Sequence, residues 1–129
     1  MRCRNLSLTT FAVFAALAAP VVSSHHSTNG IYNEEELVEI VGTVREWRFV
    51  NPHPSLVLEV QADDGSVQAW DISYGGSAVT HLRRRGYSED SFAPGDRIVV
   101  RGFAARLADN FGLLVRGDPT TPSGEPIVD

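Results

Sequence analysis

The chain has 129 residues and a net charge of −5 with histidine neutral; its eleven basic residues are all arginine and stand against sixteen acids. That length fits one domain with one apolar core. The acidic balance repels phosphate backbones, so nucleic acid is not an expected partner, and the single basic run Arg83-Arg84-Arg85 is too short to reverse the field.

Residues 1–24 read as a signal peptide. Arg2 and Arg4 open it, Leu8 to Ala19 is apolar, Pro20 breaks the run, and small residues follow. Val22 and Ser24 fit the small-residue rule for a cut before His25; cuts after Ala18 or Ser23 also fit. The run falls short of the ~20 apolar residues of a membrane span. The expectation is therefore a periplasmic or secreted protein, with no membrane insertion after the leader is removed. Losing Arg2 and Arg4 would leave nine arginines against sixteen acids, a net charge of −7. The only cysteine, Cys3, lies in the leader ahead of the apolar run. A mature chain without thiols has no disulfides, no cysteine-based zinc site and no thiol catalysis, so its core must come from apolar packing alone.

Residues 25–36 are polar and form an N-terminal arm; residues 37–117 carry the fold. From Leu37 to Arg48, β-branched residues alternate with polar ones, predicting a long first strand with Gly42 as a bend or bulge. Asn51-Pro52-His53-Pro54 ends it, because two prolines in three residues do not fit inside a paired strand. Ser55–Gln61 is a second strand, Asp63-Asp64-Gly65 a hairpin turn, and Val67–Ile72 a third strand. Ser77 is a candidate N-cap for a short helix that runs to Arg85 and stops at Gly86. Phe92-Ala93-Pro94-Gly95-Asp96 turns into a fourth strand, Arg97–Ala105, with Ile98, Val100 and Gly102 on one face. Phe111–Val115 is the fifth strand. Residues 118–129, rich in Pro, Thr, Ser and Gly, read as a flexible tail. Strand, strand, strand, helix, strand, strand is the order of an all-β, five-stranded OB-like Greek-key barrel with one short helix; a small β-sandwich is the alternative.

His25-His26-Ser27, Gly42-Thr43-Val44, Asn51-Pro52-His53, Arg84-Arg85-Gly86-Tyr87 and Pro94-Gly95-Asp96 occur in an order and spacing that resembles the DUF6152 family of small exported bacterial proteins. The resemblance runs from His25 to Leu114. It implies an exported β-barrel-like domain and assigns no activity. The chain departs from the pattern at Thr28, where a phenylalanine is common, and at Asn33, where an acid is common after the aromatic Tyr32. A site needing that carboxylate is weakened here. His81 matches no family histidine.

The residues with the most chemistry are His25 and His26. If the mature chain starts at His25, its α-amine and imidazole close a chelate ring. A third nitrogen from His26 or His53 then gives an all-nitrogen set suited to Cu(II). A start at Ser24 instead puts histidine third, where amine, amides and imidazole bind Cu(II) in a plane. An OB order sets His53 at the far end of strand one, ~40 Å away for about twelve residues at ~3.3 Å each, a span the arm covers only if nearly extended. His53 is held between two prolines, either as a rigidly presented ligand or as a loop residue capping a strand end. Tyr74, Arg106, Asp109 and Asn110 are expected with His53 at one barrel end, where OB folds bind ligands. His81 reads as a helix-surface residue, Trp47 and Trp70 as core or stacking residues, and Glu34-Glu35-Glu36 as a solvated cluster. No nucleophile elbow, phosphate loop, dinucleotide glycine motif or His-Glu-x-x-His helix is present. The reading is a non-enzymatic binding protein for a divalent metal, Cu(II) first. Its rival is a metal-free module for a small molecule or a protein.

Overall fold

The computed structural model describes residues 28–128. The strands are β1 (Val38–Arg48), β2 (Ser55–Gln61), β3 (Val67–Ser73), β4 (Arg97–Ala104) and β5 (Gly112–Val115), with helix α1 (Val79–Arg83) between β3 and β4. They form a closed barrel in the order β1-β2-β3-β5-β4, with β3 and β5 parallel and the other pairs antiparallel. This is the OB arrangement, and closure rules out the sandwich. No helix among the described residues is long and apolar enough to cross a membrane.

Period-two alternation fills the barrel. Leu56, Leu58, Ile72, Val100 and Leu113 are fully buried, and Val44 and Ile98 nearly so. β1 serves two neighbours: Val38–Thr43 pairs with β4, and Thr43–Arg48 with β2. The bulge that lets it turn lies between Val44 and Glu46, not at Gly42. One extra residue, Arg45, reverses the phase of the pleat. Even-numbered Val38, Ile40 and Val44 face inward before it, and odd-numbered Trp47 and Phe49 after it. The bulge is fixed by the Pro94-Gly95-Asp96 turn, since Gly95 N–H donates to Val44 O and Val44 N–H to Asp96 O, both at 2.8 Å. Gly42 has a different task. A Cβ there would stand 2.9 Å from Leu58 Cβ, so glycine allows β2 to pass close.

One barrel end is closed by an aromatic cluster. Trp47 packs on Phe49, Tyr74, Tyr87 and Phe92 with ring centroids 5.0–6.3 Å apart. Val79 and Leu82 of α1 cover it. The expected Ser77 cap is not used: Ala78 is the N-cap, and Asn51 Oδ1, from the β1–β2 loop, accepts the Val79 N–H at 3.2 Å. The helix ends earlier than expected, at Arg83 with Arg84 as its C-cap, and Gly86, at φ 91°, takes the left-handed turn that follows it. The opposite end holds Trp70 against Phe111, 5.7 Å between centroids.

Residues 118–128 are not loose. β5 is short and covers β4 only at Gly102–Ala104. The remaining β4 edge is an open template, and the tail fills it: Thr120 exchanges two backbone hydrogen bonds with Val99, and Arg116 N–H donates to Arg101 O. Asp118 accepts from Tyr87 Oη at 2.7 Å and Arg85 at 2.5 Å, and Pro119 and Val128 are buried.

Candidate functional site

Outward residues of β2 and β3 alternate with the core. Because Leu56 and Ile72 point in, Ser55, Asp71 and Ser73 point out, and the register sets Ser55 opposite Ser73. β5 runs alongside, with Gly112 opposite Asp71 and Asp71 N–H donating to Phe111 O at 2.8 Å. Two loops overhang this patch. The β1–β2 loop brings exposed His53 and buried Pro54, and the β4–β5 loop brings Asn110. The β4–β5 loop is closed by Asn110 N–H to Leu107 O and Gly112 N–H to Asn110 O. Together these residues and Tyr32 line a cavity of about 250 Å³. The strand 2–3 face between these two loops is where OB folds hold ligands.

Tyr32 comes from the N-terminal arm. Residues 28–33 turn over the end of β4: Tyr32 bridges Ala105, Asn33 N–H donates to Ala104 O, and Arg106 N–H to Ile31 O, each bond 2.9 Å. A one-turn 3-10 helix at Thr28–Gly30 starts this segment, and Thr28 Oγ1 donates to Glu34 Oε1 at 2.5 Å. The arm therefore doubles back before β1 begins. The ~40 Å separation expected from strand length is corrected, because Tyr32 and His53 line one cavity.

Of the other expected site residues, Asn110 joins His53, and three do not. Tyr74 points inward, 6 % exposed, between Trp47 and Tyr87. It follows outward Ser73 on the alternating strand, so one position decides its face. Arg106 lines a separate cavity of about 220 Å³ with Asn33, Glu36 and Val38. Asp109 is exposed on the β4–β5 loop and does not line the His53 cavity. His25 and His26 lie outside the described residues. His81 is exposed on α1. Sequence reasoning did not single out Tyr32, Ser55 or Asp71. Asp71 and Ser55 were legible as the polar phase of strands beside the Asn51-Pro52-His53-Pro54 loop.

Chemically, the cavity offers an imidazole, a carboxylate, three hydroxyls and a carboxamide around a volume that suits an ion with its waters or a molecule of a few heavy atoms. No group of three or more His, Cys, Asp or Glu suited to a metal occurs among the described residues. A resident ion would need donors from outside them. A second polar cluster lies under α1. Tyr74 Oη is buried and makes no hydrogen bond, while the neighbouring Tyr87 donates to Asp118. Burial pushes both phenols well above the ordinary tyrosine range.

No curated protein matches the chain. The model of a family of unknown function, DUF6152, matches residues 13–114, and with its β-barrel core, the Asn51-Pro52-His53 loop and the Pro94-Gly95-Asp96 turn inside that span, the chain belongs to this family.

Proposed function

We propose that the exported, mature protein is a non-enzymatic binder of a divalent metal, Cu(II) first, held by the amine and imidazoles of the His25-His26 terminus and completed by His53. The observation that carries this reading is the shared cavity of Tyr32 and His53. His26 precedes Tyr32 by six residues, a span of at most about 20 Å of extended chain. A terminus within that span of Tyr32 can meet the His53 imidazole without crossing the barrel. Asp71, on the same wall, is the natural carboxylate to balance a bound cation. Nitrogen donors with a tetragonal preference select Cu(II) over the oxygen-seeking ions. The biological role is sequestration or delivery outside the cytoplasm.

The test is calorimetric titration of Cu(II) into mature protein whose first residue has been identified by mass spectrometry. One tight equivalent is expected. An added N-terminal methionine should weaken it at least about tenfold by removing the chelate ring, a loss of about 1.4 kcal/mol. Undiminished binding by the extended protein overturns the chelate.

A second reading has one observation in its favour: Ser55, Ser73 and Asn110 give the same cavity a neutral hydrogen-bonding wall. On that reading the ligand is a small polar molecule bound without metal. His25→Ala and His26→Ala are then silent, while Asn110→Ala is not.

A further inference from the structure

The barrel has a second gap in its hydrogen-bonding, and nothing in the described chain fills it. β1 pairs with β2 only from Thr43 onward, and β2 pairs with β1 only up to Glu59. Beyond that point the strands diverge around a cavity of about 570 Å³ lined by Glu39, Val41, Gln61, Asp63 and Arg97, continuous along Val41, Gln61 and Arg97 with a second of about 270 Å³. The direction of the backbone groups follows from neighbours. Val44 gives both its N–H and its C=O to the Gly95-Asp96 turn on the β4 side. In an antiparallel ladder these directions alternate. Glu39 and Val41 therefore turn their N–H and C=O groups toward the gap. On the other wall, Ala62 bonds across the hairpin to Ser66, so Gln61 also faces the gap. The corresponding open edge of β4 is sealed by the tail at Thr120, whereas this one remains a template.

We infer that this gap is a docking site for an extended, basic segment of a partner protein, which adds a strand along β1 at Glu39–Val41. The form of the occupant follows from the unpaired backbone groups, which a strand satisfies and a helix does not. Its side chains follow from the rims. Val41 and Val67 are 38 % and 65 % exposed and ask for apolar residues at alternate positions. Glu59 and Asp63 are exposed carboxylates in no ion pair among the described residues, and Glu39 lies beside them already paired to Arg101. Among the described residues, Arg97 is the one basic side chain lining the gap. The acidic surplus selects lysine or arginine in the incoming strand, and the chain's own net charge of −5 disfavours a second copy.

The experiment is an array of ten-residue peptides with Val, Ile or Thr at alternate positions and Lys, Ser or Glu between them, probed with the full folded protein. Lysine-bearing peptides should bind at least about tenfold more tightly than their glutamate counterparts, as complementary charge predicts. Val41→Pro removes an N–H that β4 does not use and should abolish that binding. The exposed double variant Glu59→Lys/Asp63→Lys leaves the backbone alone and should reverse the charge preference. In the protein without peptide, the Val41 amide should exchange rapidly with deuterium and become protected on peptide binding. Four results overturn the inference: no charge preference across the array, binding unaffected by both variants, a Val41 amide already protected in the monomer, or a concentration-dependent dimer that Val41→Pro dissolves.

Discussion

Tyr74 and Tyr87 stand side by side under α1 with opposite polar fates. Tyr87 gives its hydroxyl to Asp118, which also holds Arg85. Tyr74 buries its hydroxyl with no partner. Removing a buried hydroxyl that makes no bond removes a desolvation penalty, whereas removing Tyr87 Oη strips Asp118 of a donor. Tyr74→Phe should therefore leave stability unchanged or raise it, and Tyr87→Phe should lower it by about 1–2 kcal/mol, read from urea midpoints. Both phenols are raised by burial. A raised acid keeps its proton in the folded state after the unfolded chain has released it. Its stabilising contribution is complete below the ordinary phenol pKa of about 10 and is lost as pH climbs past it. Urea midpoints should fall above about pH 10, and the Tyr74→Phe/Tyr87→Phe double variant should flatten that fall.

At the level of elements, Gly42 and Gly102 set how closely strands cross. A Cβ on Gly102 of β4 would lie 2.3 Å from Leu114 O, a backbone atom that cannot yield, whereas a Cβ on Gly30 of the arm meets nothing within 4 Å. Gly102→Ala should destabilise the barrel by about 3 kcal/mol, at the top of the overpacking range. Gly30→Ala should stay within about 0.5 kcal/mol. Denaturant melts of the two variants check both. Strand identities were legible in the chain because alternation and turn residues act locally: Ser55–Gln61 is as read, and Val67–Ile72 gains only Ser73. What was not legible depended on contacts distant in sequence. The helix cap comes from Asn51, twenty-eight residues before Val79. The bulge follows the turn that grips Val44, and the tail is ordered by an edge that β5 is too short to cover. The site was half legible. The prolines around His53 and the loop at Asn110 announced themselves. The placement of Tyr32 beside them depended on the arm turning over Ala104–Arg106, which no local pattern encodes.

For the whole molecule, a small barrel without disulfides is closed by its two ends: the arm over the end of β4, and the tail along its open edge. Deleting residues 118–129 would unpair Val99, free Tyr87 and expose Pro119 and Val128. The truncated protein should lose roughly 3 kcal/mol or more, at ~1.5 kcal/mol or above for each buried apolar side chain, seen as a lower melting temperature. The arm also brings Tyr32 to the cavity lined by His53, and the proposed function gives it the further role of delivering the mature terminus there. The most direct test of that role is the EPR spectrum of one equivalent of Cu(II) on mature protein, compared with His53→Ala. If terminus and cavity form one site, the spectrum shows several coupled nitrogens, and His53→Ala removes one of them while the fold is retained. An identical spectrum from His53→Ala, or protein that leaves dialysis without copper, would contradict the account.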